Sequence, residues 1–195
     1  MSGAVKRDFQ ITSLKTIHED PKFTIKIGEG VTDGKTSKFC RLERPVVVFI
    51  VPISPTGRTV LLTQFRFPVE KEVWEFPAGH TEDGEDHDQS AIRELRQETG
   101  LVVSRVTLVG QFYGMPTVST SVYKVYVAPV TDDQLDRIKP PTDEDEITSV
   151  HVVPMSKVSA MIADGILDSG TTMATLAKIH AWQANLANLS NPEPL

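Results

Sequence analysis

The chain has 195 residues, 39% hydrophobic and 24% charged, enough for one well-filled core, and its formal net charge of −6 argues against a polyanionic partner such as nucleic acid. No apolar run approaches the roughly 18 residues of a membrane span, and the start MSGAVKRDFQITS lacks a secretory apolar region, so no membrane is expected and the chain is read as cytoplasmic. The single cysteine, Cys40, excludes an internal disulfide and a multi-cysteine zinc site, and is read as a small strand residue.

The first forty-odd residues read as antiparallel strands. KFTIKI alternates Phe23, Ile25 and Ile27 with polar partners, Asp33-Gly34 is a hairpin signal, and SKFCRLE follows it. PVVVFIVPIS is a nearly continuous β-branched run, which predicts a strand buried on both faces, and SPTGRT turns the chain into VLLTQFRF. EVWEFP, RVTLVGQFYG, TSVYKVYVAPV and SVHVVP predict further strands, the last preceded by the acidic loop PPTDEDEIT. Helices are expected over residues 156–164, with Gly165 as a stop signal, and over residues 170–189. The order of strands, helix, strands and helices predicts an α/β sandwich with mixed strand pairing. Residues 1–45 are read as an N-terminal antiparallel strand region, residues 46–190 as the main domain and residues 191–195 as a frayed tail.

One more helix lies in the most acidic part of the chain, WEFPAGHTEDGEDHDQSAIRELRQETGL. Asp86 or Asp88 can cap it, Ala91, Ile92 and Leu95 give it an apolar side, and Gly100 stops it. Glu94 and Glu98 are four apart, so both project from one face with β-carbons about 5 to 6 Å apart. Like charges at that spacing repel, an effect a solvated surface tolerates and a bound hard cation reverses. Spacing alone leaves both readings open.

The full pattern decides between them. Gly79 is followed after five residues by Glu85, and after seven more by Arg93-Glu94-Leu95 and then Arg96-Gln97-Glu98-Thr99-Gly100-Leu101. This resembles the Nudix box, GX5EX7REUXEEXGU with U aliphatic, at every fixed position except Gln97, which stands where the first glutamate of the EE pair is expected. The resemblance implies a Nudix α/β/α sandwich that hydrolyses a nucleoside diphosphate linked to another moiety with Mg²⁺, or alternatively Mn²⁺. It implies Glu94 and Glu98 as the principal metal ligands and the backbone carbonyl of Ala78 as a further one. Gln97 would be a neutral ligand that leaves the metal cluster weaker or one ion short. Gly79 and Gly100 are the structural glycines of the box, and Glu85 with Arg93 looks like the pair that ties its loop to its helix.

VLLTQFRFPVEKEVWEFPAGH resembles the ADP-ribose pyrophosphatase branch of that family, and Pro116 falls where that branch carries a proline. Arg66 is then the candidate clamp for the substrate diphosphate, since a guanidinium binds two phosphate oxygens at once. Arg44 matches a second ligand-reaching arginine. Glu75, in the strand entering the box, is assigned to the substrate side of the site, with the metals or bulk solvent as other directions it could face. Trp74 or an aromatic residue of the N-terminal strands could stack on a base, although Trp74 and Trp182 read more readily as core. In this branch the loop before the last strand carries the general base in an E-x-E arrangement, which Glu144 and Glu146 fit, with Glu144 favoured. His80, His87, His151 and His180 lack the spacing of a zinc site or nucleophile triad.

The resemblance therefore implies hydrolysis of ADP-ribose to AMP and ribose 5-phosphate by a homodimer whose N-terminal strands complete the partner's site. The alternatives are another nucleoside diphosphate sugar, an oxidised nucleoside diphosphate, and a catalytically weak ADP-ribose sensor.

Overall fold

The computed structural model describes residues 8–138 and 147–190, and the chain separates into two compact units. One consists of the chain up to Pro45 together with Tyr113–Val122, and the other of Val46–Phe112 with the chain from Tyr123 onward.

The first unit is a three-stranded antiparallel sheet in the order β1 (Phe9–Glu19), β2 (Thr24–Thr32) and β3 (Lys35–Glu43). The β2–β3 hairpin turns at Asp33 and Gly34, whose φ angles of 49° and 77° are the two positive values a type I′ turn requires. Strand β1 shifts register between Ile11 and Ser13 and again between Thr16 and His18. Those irregularities break the period-2 alternation, so its sequence announces a strand less clearly than KFTIKI does. Segment Tyr113–Val122 is tied to β3 through Leu42, whose N–H donates to Val118 O at 2.7 Å and whose carbonyl accepts from Thr120 N–H at 3.0 Å.

The second unit holds two sheets. In the mixed sheet, β4 (Val47–Ile53) pairs antiparallel with β7 (Ala78–His80) and parallel with β9 (Val122–Pro129), whose outer neighbour is β8 (Thr107–Tyr113). In the other, β5 (Arg58–Arg66) lies between β10 (Ile147–Pro154) and β6 (Lys71–Glu75), antiparallel to both. The helices are α1 (His87–Thr99), α2 (Asp132–Asp136), α3 (Met155–Ala163) and α4 (Gly170–Ser190).

Alternate residues of the buried strands feed two apolar clusters. Val48, Ile50, Val60, Leu62, Tyr126 and Ala128 pack against Ala91 and Leu95 of α1. Val47, Phe49, Val51, Leu61, Val125 and Val127 pack against Val158 of α3 and Leu176 and Ile179 of α4. Helices thus cover both sides of the strands, which is the α/β/α sandwich with mixed pairing that the element order predicts. Burial of each such side chain contributes about 1.5–3 kcal/mol, and the run Val47–Pro52 is buried without a break, as a strand covered on both faces must be.

Two local features differ from the sequence-based expectation. Helix α3 begins one residue earlier than predicted, with Asp164 as its C-cap, and Gly165 follows in the left-handed conformation at a φ of 71°, as its stop signal requires. Helix α2 was not anticipated, although Thr131 and Gln134 form the reciprocal capping box that T-x-x-Q encodes. The Asp132 carboxylate of α2 accepts from Thr56 Oγ1 at 2.6 Å, Ser54 Oγ at 2.7 Å and Arg58 Nε at 2.9 Å, and so pins the β4–β5 turn. These donors, the Thr56 hydroxyl first, hold its carboxyl down at about 2. Among the described residues no helix is long and apolar enough to cross a membrane.

Candidate active site

The acidic helix α1 is built as its caps require. Asp86 is the N-cap, its carboxylate accepting from the backbone N–H groups of Asp88 at 2.9 Å and Gln89 at 3.3 Å, and Gly100 closes the helix with its N–H on Arg96 O at 2.8 Å. The helix buries Ser90, Ala91, Leu95, Thr99 and, unusually for its type, Glu98, which is only 7% exposed. Beneath its first turn lies Tyr126, whose phenol is pushed above its ordinary pKa by burial and by the nearby Asp88 carboxylate.

Strand β7 runs past the same helix. The Ala78 N–H donates to Glu98 Oε2 at 2.8 Å, and the Glu94 carboxylate lies against Gly79 so closely that a β-carbon there would overlap it. Gly79 is therefore a steric requirement of the site, independent of any turn. The box glycine, Ala78 and the two helix glutamates that sequence reasoning singled out come together at this point. The structure shows the N–H of Ala78 engaged there, whereas the resemblance assigns its carbonyl.

Arg93 organises the loop. Its Nε and Nη2 bind the two oxygens of Glu85 at 2.9 and 2.8 Å, a bidentate pair, and Nη2 also donates to His80 O at 3.0 Å. Glu85 accepts in addition from Ser90 Oγ at 2.5 Å and from the Glu82 N–H at 3.1 Å. The guanidinium, followed by the weaker donors, draws the Glu85 carboxyl down to about 2, while Glu85 and then Glu94 raise the pKa of Arg93. The remaining nitrogen, Nη1, donates both to Glu94 Oε1 at 2.8 Å and to the amide oxygen of Gln97 at 2.9 Å. Gln97 is exposed and lines a shallow cleft along α1 with Glu85, Gln89, Ile92, Arg93 and Arg96. Its oxygen, assigned to a metal by the resemblance, here faces Arg93.

A second group lies at the end of β5 and β6. Both Nε and Nη2 of Arg66 reach Glu75 Oε2, at 2.8 and 2.7 Å, and the other Glu75 oxygen accepts from Ser169 Oγ at 3.0 Å. Glu75 is 8% exposed, so it does not face bulk solvent. Ser169, just before α4, was not singled out from the sequence, and a lone serine before a helix gives no signal that it will meet a glutamate 94 positions earlier. Trp74 packs in the core with its ring 4.2 Å from that of His151, and Trp182 joins the same cluster, so the core reading of both holds. Burial lowers the pKa of His151.

Arg44 lies in the first unit, in a small concavity with Asp20, Lys22, Phe23 and Glu43. Pro116 belongs to the Tyr113–Val122 segment of that unit. Glu144 and Glu146 lie outside the described residues.

The donor set at Glu94 and Glu98 fits a hard divalent cation, which prefers carboxylate and carbonyl oxygen. Among the described residues no three His, Cys, Asp or Glu side chains are grouped closely enough to hold a metal ion. That is compatible with Mg²⁺, which keeps several waters and is commonly held by one or two carboxylates plus substrate phosphates.

Comparisons with known proteins bear on the family and the fold. The family model described as NUDIX domain matches residues 43–175. The ADP-ribose pyrophosphatase of Bacillus subtilis (strain 168) is 29% identical over 156 residues, covering 76% of this chain and 82% of that protein. The methanol dehydrogenase activator of Bacillus methanolicus is 30% identical over 143 residues, covering 73% and 76%. A crystal structure described as an ADP compounds hydrolase superposes with a TM-score of 0.73 at 20% identity, covering 91% of this chain and 95% of the other, and shares the fold.

Proposed function

The chain belongs to the Nudix family of hydrolases, and from that premise we propose that it hydrolyses the diphosphate of ADP-ribose to AMP and ribose 5-phosphate with Mg²⁺, or alternatively Mn²⁺. The observation that carries the reading is the Glu94 carboxylate seated on the side-chain-free Gly79 beside the buried Glu98. The Gln64-Phe65-Arg66 and Glu75-Phe76-Pro77-Ala78-Gly79 segments and the similarity to an ADP-ribose pyrophosphatase support ADP-ribose as the substrate.

In this reading Glu94 and Glu98 hold the cation, with Ala78 O and Gln97 as further oxygen donors. Bound there, Mg²⁺ neutralises charge on the diphosphate and lowers the pKa of a bound water. Arg93 holds Glu85 and Glu94 in register, so that the loop and helix present one preformed surface. Arg66, paired with Glu75 in the ligand-free protein, turns its guanidinium to the diphosphate oxygens, and Arg44 is assigned to the substrate as a second arginine. A water oxygen bonds to phosphorus, the bridging P–O bond breaks and its electron pair leaves with the departing phosphate. The water proton passes to Glu144, with Glu146 as the second choice.

Residues 1–45 serve as the dimerisation region of a cytoplasmic homodimer, residues 46–190 as the catalytic domain. Strand β1 supports this reading: it is exposed along its whole length and presents Phe9, Ile11, Leu14 and Ile17, an apolar edge that a second copy of the chain would cover. Light scattering tests it, and a monomer at working concentration refutes it. The function is tested by product analysis with and without Mg²⁺ on ADP-ribose, GDP-mannose, diadenosine polyphosphates and 8-oxo-dGDP.

A further inference from the structure

Gln64 is 3% exposed, and its Nε2 has no hydrogen-bond partner among the described residues. A buried amide N–H without an acceptor opposes folding, and a leucine or methionine would fill the space without that cost. The same face of β5 carries Val60 and Leu62, both fully buried and apolar, so packing alone gives no reason for an amide at the next position.

Its surroundings supply one. Gln64 pairs with Val73 of β6, Leu62 with Glu75 and Arg66 with Lys71. Directly opposed residues share a face, so Gln64, Arg66 and Glu75 stand on the same side of the sheet. The Arg66–Glu75 ion pair connects positions on either side of the Gln64–Val73 pair and therefore crosses over it. The bare amide thus belongs to the sheet face spanned by the guanidinium that the proposed function gives to the substrate diphosphate. The buried hydroxyls of Thr59 and Thr175, which also lack partners among the described residues, belong to the opposite face of β5 and to α4.

The geometry points to Gln64 as a substrate-contacting residue whose amide N–H₂ donates to an oxygen of the diphosphate once Arg66 turns from Glu75 to the substrate. This deepens the proposed function and rests on its assignment of Arg66. Gln64 and Arg66 then form a neutral and a cationic donor two residues apart, and the amide acquires the acceptor it lacks. An anionic acceptor makes that bond a strong one.

The test titrates wild-type, Gln64→Met and Gln64→Leu protein with inorganic pyrophosphate, alongside KM and kcat for ADP-ribose and the thermal midpoint of ligand-free protein. Both variants are expected to bind pyrophosphate about tenfold more weakly and to raise KM by about the same factor, with a smaller change in kcat and a thermal midpoint equal to or above wild type. Met is closest to Gln in shape and carries the test if the Leu variant does not fold. Equal pyrophosphate affinity in wild type and variants, or no binding by wild type, overturns the assignment. Wild-type protein that binds pyrophosphate through Gln64 yet leaves ADP-ribose intact upholds it and overturns the proposed substrate instead.

Discussion

The Glu94 carboxylate rests on the α-carbon of Gly79, in space that any side chain at position 79 would fill. Gly79→Ala must therefore push Glu94 off its seat while leaving the two apolar clusters intact. We expect kcat to fall by about 10²-fold, because a displacement of an ångström at a reacting site costs that much. Circular dichroism should stay unchanged; wild-type turnover in the alanine variant would remove the close approach from the account.

Glu98 combines deep burial with an N–H donor from Ala78. Glu98→Gln keeps the shape and the hydrogen bond but removes the charge. Mn²⁺ binding, followed by electron paramagnetic resonance, should weaken by at least about tenfold, and activity should fall by about 10²-fold or more. Unchanged Mn²⁺ affinity would take Glu98 out of the metal site.

Gln97 shares Arg93 Nη1 with Glu94. A carboxylate in its place would bring an extra negative charge to the cation site. Gln97→Glu should lower the Mg²⁺ concentration for half-maximal rate by several-fold. An unaltered Mg²⁺ dependence would show that the departure from the box pattern has no bearing on the metal.

The Glu85 pair predicts a pH dependence. Its folded-state pKa of about 2 lies below the ordinary 4.5, so it contributes stability that is fully present above about pH 4.5 and is lost as the pH falls toward 2. After allowance for its partial exposure the contribution is about 1 to 3 kcal/mol. Glu85→Gln should be destabilised relative to wild type at pH 7, and the difference should shrink in denaturant titrations carried out below about pH 4.

Much of this was legible in the residues themselves. The β-branched run of β4, the Asp33-Gly34 turn and the Asp86-to-Gly100 helix follow from local chemistry, and the box pattern singles out Gly79, Glu94 and Glu98, although only the fold shows that Glu94 lies against Gly79. What was not legible depends on contacts between distant segments. Ser169 meets Glu75 only because α4 begins beside the end of β6, and the amide of Gln64 looks like an ordinary strand residue until burial leaves it without an acceptor. The Arg66–Glu75 pair has the same origin: strand pairing brings the two residues onto one face, and nothing in their spacing of nine says so.

The central claim is best tested by incubating the purified protein with ADP-ribose, with and without Mg²⁺, and resolving the products by chromatography. The account predicts Mg²⁺-dependent release of AMP and ribose 5-phosphate, lost by about 10² to 10⁴-fold in Glu144→Gln. Intact ADP-ribose beside rapid cleavage of GDP-mannose or 8-oxo-dGDP would contradict the proposed substrate, and silence on every nucleotide would contradict the proposed catalysis.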